Sequence, residues 1–130
     1  MKKAIRILMV TAGVFALFLI TICAVLVIKM TSQVKSFDKS AVDVSQVKDG
    51  VYEGHSETEL VKVDVKVTVS NGDISDIEIL RHECGKGKIA NVIVEDMVEK
   101  DDVEVDAVSG ATFSSEVIKD AVRSALRKGR

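Results

Sequence analysis

Residues 60–80 read LVKVDVKVTVSNGDISDIEIL, and their phase decides the fold. Val61, Val63, Val65, Val67 and Val69 alternate with Lys62, Asp64, Lys66 and Thr68, so a strand here has one apolar face and one wet face. Asn71-Gly72 is the strongest two-residue signal for a tight hairpin, and DISDIEILRH (residues 73–82) is the return strand. Pairing Ser70 with Asp73 sets Ile74 across from Val69 but throws Ile77 and Ile79 onto the wet face. One extra residue at Ser75 or Asp76 restores the phase, with Ile77 opposite Val67 and Ile79 opposite Val65. The spacing therefore predicts a β-bulge at that point.

Two helical patterns follow. KIANVIVEDMVEK (88–100) carries Ile89, Val92, Ile93 and Met97 at helical spacing, with Glu95, Asp96, Glu99 and Lys100 turned away. SSEVIKDAVRSALRKG (114–129) is the clearer helix. Ile118, Ala121, Val122 and Ala125 form its buried stripe, Ser114 or Ser115 is placed to cap it, and Gly129 ends it. Between them VEVDAV (103–108) reads as a short strand. The acidic run Glu99–Asp106 reads as a solvated turn. The order β-β-α-β-α predicts an α+β fold, a small antiparallel sheet packed by two helices.

Upstream of the hairpin the composition changes twice. Ile7–Ile28 holds no charge over 22 positions, about 33 Å of helix at ~1.5 Å per residue, and Lys2, Lys3 and Arg6 precede it. That length exceeds the apolar core of a cleaved signal, and no small-x-small site follows Ile28. Residues 1–30 are accordingly read as an uncleaved signal anchor, a single transmembrane helix. Its basic N-terminal flank keeps that end in the cytoplasm and puts the rest outside. Residues 31–48 are polar and weakly periodic, a stalk, and the domain proper, 49–130, starts near DGVYEG.

Charge and cysteines narrow the functions. All 20 acidic residues lie beyond the anchor, giving the exported part a net charge of about −6, which argues against nucleic acid. Cys23 lies in the anchor and Cys84 beyond it, so no disulfide joins them. His82 and Cys84 stand two apart in RHECGKGK (81–88), but with only His55 elsewhere the ligands for a metal site are too few. That loop, with Arg81, Lys86 and Lys88, is instead a candidate to approach a ligand or a docking partner. No GxSxG, HExxH or Walker pattern occurs, so hydrolase chemistry has no support.

The remaining stretch is DAVSGATFSS, Asp106–Ser115. Ser109-Gly110-Ala111-Thr112 precedes the last helix, where free N–H groups and the helix dipole suit a phosphate. Gly110 permits unusual backbone angles, Ala111 keeps the approach clear, and Thr112 offers a hydroxyl. On these residues alone, a turn with an N-cap is the commoner reading.

The stretch resembles the flavin-attachment motif of the FMN-binding domain family, Asp-x-x-Ser/Thr-Gly-Ala-Thr, with Asp106, Ser109, Gly110, Ala111 and Thr112 in every motif position. DGVYEG, the hairpin and SSEVIKDAVRSAL also follow the family's order. The family includes peripheral flavin subunits of sodium-pumping NADH:quinone oxidoreductase and of Rnf complexes, and small membrane-anchored proteins. The resemblance implies FMN as cofactor, esterified through its phosphate to Thr112 by a flavin transferase that uses FAD and Mg²⁺. It also implies a role for Asp106 in recognition by that transferase. Ser114 is the second choice of acceptor, and Tyr52 and Phe113 are candidate neighbours of the flavin ring. The implied protein is an electron-transfer flavoprotein at the outer side of the cell membrane, working with membrane redox proteins or a quinone and lacking a substrate pocket of its own. A flavin-free anchored binding module and a flavin reductase with non-covalent FMN are the alternatives.

Overall fold

A computed structural model describes residues 1–83 and 87–130, the side chains of residues 87–89 excepted. The chain divides into Met1–Lys35 and Ser36–Arg130. The first unit is one helix, α1 (Lys2–Lys35), whose most apolar window has a mean hydropathy of 2.7; in length and composition it fits a membrane anchor. Its threonines keep their hydroxyls bonded within the helix. Thr11 Oγ1 donates to Leu8 O (2.9 Å), Thr21 Oγ1 to Leu17 O (2.8 Å) and Thr31 Oγ1 to Val27 O (2.9 Å), so in lipid none is left unpaired. The helix continues for seven residues past Ile28, so the change to polar composition does not end it.

The second unit is an antiparallel meander of β1 (Gly50–Glu57), β2 (Lys62–Ser70) and β3 (Asp73–Glu83), with α2 (Ile93–Lys100) and α3 (Thr112–Arg127) on its apolar face. This is the expected α+β class. The hairpin keeps the expected phase: Ser70 pairs with Asp73, Val69 with Ile74, Val67 with Ile77 and Val65 with Ile79, with Ser75 as the extra residue. Asn71 and Gly72 both take positive φ, 54° and 80°, as a primed two-residue turn requires. A second irregularity at Leu80 was not expected. It leaves Leu80 exposed, pairs Arg81 with Asp64 and turns His82 inward opposite Val63.

Two elements differ from the sequence reading. Gly50–Glu57 is a full edge strand paired to β2, with Gly54 and Ser56 buried. Residues 103–108 form no strand. Val103 and Val105 are buried and alternate with exposed Glu104 and Asp106, so the period was right, but their backbone bonds locally. Val105 N–H donates to Val103 O (2.9 Å), and Glu104 N–H to Asp102 Oδ1 (3.0 Å). Alternation reports burial; a ladder also needs a free strand edge to pair with. The first interior helix is likewise divided, with 3₁₀ geometry over Gly87–Val92 before α2 begins.

Valines from β2 and isoleucines from β3 meet Ile93 and Met97 of α2 and Val117, Ile118, Ala121, Val122, Ala125 and Leu126 of α3 in one core. The polar segment before β1 contributes Val44 and Val47 to it. Lys48 N–H donates to Gly129 O (2.9 Å), so the segment leading into β1 is clasped to the chain two residues past the end of α3. The opposite face of the sheet carries cross-strand charge rows, Glu53-Lys66-Glu78 and His55-Asp64-Arg81, with Lys66 Nζ 2.9 Å from Glu78 Oε2.

Asp43 fixes the 3₁₀ turn Val44–Gln46 by accepting from Ser45 Oγ (2.6 Å) and Ser45 N–H (3.0 Å). Those two bonds hold its carboxyl below the ordinary value of 3.8. A depressed folded-state pKa stabilises the fold above the ordinary value, and the contribution is lost as pH falls through the lower one. We expect an NMR titration of Asp43 to show a midpoint below 3.8, moving part of the way back in Ser45→Ala, which removes the hydroxyl bond and keeps the backbone one.

Candidate functional site

The site is built where the extended 103–108 segment meets α3. Ala111 N–H donates to Val108 O (3.0 Å), closing a four-residue turn over Ser109 and Gly110. Gly110, third in that turn, sits at φ +80°, a left-handed value that glycine adopts without strain. Ala111 then takes the N-cap position (φ −137°, ψ 37°) and α3 starts at Thr112.

No side chain caps α3. The serines expected to do so lie inside its first turn, because the N-cap position falls at Ala111, three to four residues earlier than they imply. Ser115 uses its hydroxyl otherwise, accepting from Val108 N–H (3.0 Å) and donating to Ala111 O (2.8 Å). The N–H groups of Thr112, Phe113 and Ser114 precede the first intrahelical donor, Ser115 N–H, which bonds Ala111 O, so the positive end of the helix is left uncapped by side chains.

Exposure separates the candidate residues. Asp106, Ser109, Gly110 and Thr112 are exposed, Phe113 is half-buried and Ala111 is buried. Ser114 is only 4% exposed and Ser115 0%. One hydroxyl of the helix start, that of Thr112, is thus presented beside the uncapped N–H groups. Tyr52 does not join this cluster. Its hydroxyl donates to Lys48 O (2.7 Å) and its ring lies against Gly129, beyond the far end of α3, roughly 22 Å along the helix at ~1.5 Å per residue.

Residues 60–127 match the family model described as the FMN-binding domain, just over half of the chain and all of the turn and α3 as far as Arg127. The chain belongs to the FMN-binding domain family. FMN is its cofactor. No curated protein matches the chain. The donor set fits the phosphate of FMN: backbone N–H groups at a helix start, a left-handed glycine and no acidic residue in the first turn. When bound, FMN supplies one- and two-electron redox chemistry, and the domain supplies its position and surroundings.

A charged seam of the FMN-binding domain escaped the sequence reading. Thr112, Glu116, Lys119 and Arg123 follow at i, i+4, i+7 and i+11, a spacing that puts them on one stripe of α3. Lys119 (7% exposed) and Arg123 (1%) are buried there. Arg123 Nε and Nη2 donate to Glu104 Oε1 at 2.8 and 2.5 Å, tying the extended segment to the helix. Lys119 Nζ lies 3.4 Å from Glu116 Oε1 and 3.6 Å from Glu104 Oε2. The heptad-like spacing was the available signal, masked by reading Lys and Arg as solvent-facing.

The two histidines face opposite sides of the sheet. His55 bonds Asp64 on the charged face, whereas His82 bonds Asn91 on the core side. Arg81 is engaged with Glu83 (3.1 Å) and Asp64 (3.6 Å). Cys84, Lys86 and the Lys88 side chain, the rest of the loop singled out from sequence, lie outside the described residues.

Proposed function

We propose that Thr112 carries FMN through a phosphoester and that the domain relays electrons at the outer face of a membrane. The observation that carries the reading is the contrast at the start of α3: Thr112 is exposed on an uncapped helix end, and Ser114 is buried. Attachment from FAD balances simply. The Thr112 Oγ–phosphorus bond forms, the pyrophosphate P–O–P bond breaks, AMP leaves and the hydroxyl proton passes to solvent. The helix N–H groups and dipole favour the anionic diester that results. Asp106, exposed on the same loop, is assigned to recognition by the flavin transferase, and Phe113 to the ring's apolar surroundings.

The basic residues Lys2, Lys3 and Arg6 before α1 favour a cytoplasmic N-terminus, hence a domain on the other side. There a tether matters, since lost FMN would not be replaced readily. Membrane redox proteins or a quinone are the partners such a relay needs. Co-expression of the full chain with a flavin transferase should give a band that fluoresces under ultraviolet light after denaturing electrophoresis. Thr112→Ala should abolish that band and Ser114→Ala should keep it. Loss in Ser114→Ala alone would move the acceptor, and flavin released on denaturation would establish a non-covalent flavoprotein instead.

A further inference from the structure

We propose that Ser115 is the positioning residue of the flavin loop: its buried hydroxyl closes the turn beneath Ser109-Gly110 and thereby fixes where Thr112 stands. The inference rests on Thr112 being the acceptor.

A serine hydroxyl has one proton to donate and lone pairs to accept with. Ser115, 0% exposed, uses both on the two ends of one turn: it accepts from Val108 N–H at 3.0 Å and donates to Ala111 O at 2.8 Å. Ala111 O also takes the Ser115 N–H (2.9 Å), and Ala111 N–H spans the turn to Val108 O (3.0 Å). Both polar groups of Val108 and both of Ala111 are therefore satisfied inside the loop and by a single helix residue. Ser109 and Gly110 are left as the exposed tip.

The consequence falls on Thr112, which follows Ala111 directly. Its backbone is held from one side by Ala111 and from the other by α3, one turn of which ends at Ser115. An acceptor hydroxyl held in this way meets its phosphorus in a narrow range of geometry, and misplacement by about 1 Å costs on the order of a hundredfold in rate. Alanine at 115 keeps the helix and the core but leaves Val108 N–H without its acceptor and Ala111 O with one bond fewer. The turn then opens toward water, and the position of Thr112 spreads. Sequence spacing alone suggested a cap for this serine; the bonds assign it to the turn that precedes the helix.

The test uses the full chain in detergent with FAD, Mg²⁺ and a flavin transferase. Flavin loading is followed with time, and amide exchange of Val108 is followed separately in the unloaded chain. Ser115→Ala should slow loading about tenfold or more and should speed Val108 exchange. Ile118→Val, a core change on the same helix at a residue equally buried, should lower thermal stability without changing either readout. Should Ser115→Ala fail to fold, Ser115→Cys, with a weaker donor and acceptor of similar size, should show the smaller version of both effects. Parental loading in the Ser115 variants overturns the proposal, as does an equal loss in Ile118→Val, which would make stability the cause. No loading of the unaltered chain overturns the Thr112 reading itself, which is a different failure.

Discussion

Gly54→Ala should cost the domain more than any other single methyl group considered. A Cβ at Gly54 would stand 2.0 Å from Ala121 O, 2.7 Å from Ala125 N and 2.9 Å from Ala125 Cβ. Two of those atoms are backbone, so no rotamer change relieves the clash; α3 must lift away from β1. Lifting it uncovers the valines of β2 beneath and breaks the bond from Ser56 Oγ to Asp120 Oδ2 (2.6 Å). Overpacking ordinarily costs ~1–3 kcal/mol and occasionally more; with backbone as the obstacle we expect about 3 kcal/mol or above. For a domain of this size that corresponds to a fall of about 12 °C or more in Tm, measurable by circular dichroism. Gly129→Ala is the informative comparison. Its Cβ would come 2.5 Å from Tyr52 Cζ and 2.7 Å from Val47 Cγ1, but these are side-chain atoms and not backbone, so a smaller loss is expected. A Gly54→Ala domain within a few degrees of the parent would mean that α3 does not cross β1 at this glycine.

The second large effect is an asymmetry between two ends of one ion pair. Removing one partner of a buried pair typically costs ~3–5 kcal/mol because the charge left behind is buried and uncompensated, so the cost depends on which of the two charges water can still reach. Arg123 is 1% exposed, and its Nη1 finds no acceptor among the described residues. The Glu104 side chain is 44% exposed. Glu104→Leu therefore leaves Arg123 buried without its carboxylate and also takes an anion from Lys119. We expect about 3 kcal/mol of destabilisation, the lower end of the range because Glu104 is partly hydrated. Arg123→Met removes the unpaired Nη1 and leaves Glu104 to water and Lys119, for a change of about 1 kcal/mol or less. Urea denaturation with an unchanged slope would read both. The reverse ranking would show that Glu104 contributes little and that the aliphatic stem of Arg123 is what matters.

How far the sequence discloses this fold depends on which property each residue reports. The bulge at Ser75 was legible because Ile77 and Ile79 would otherwise face water; apolar residues on both sides betray a slip in phase. The one at Leu80 was not, since Arg81, His82 and Glu83 carry no apolar marker beyond it. In VEVDAV the alternation was real, yet it encodes burial and says nothing of hydrogen-bond partners. Val44 and Val47 sit among polar neighbours, so composition hid their place in the core.

At the site, Gly110 and the hydroxyl of Thr112 were visible as residue types in the right order. The start of α3 was misplaced because hydroxyls at 112, 114 and 115 are each plausible caps, and only three-dimensional bonding separates them. Tyr52 was named with Phe113 as a candidate ring neighbour on residue type alone. In the fold its hydroxyl is committed to Lys48 O and its ring to Gly129, at the far end of the helix from Thr112.

The clasp between Lys48 and Gly129 has a practical corollary. Because the chain enters and leaves this body at neighbouring points, the body should tolerate being grafted into a surface loop of a host enzyme through two short flexible joints. A flavin-bearing cassette of under a hundred residues could in that way be wired beside a chosen redox centre without the lipid-spanning segment, its mounting point set by the engineer.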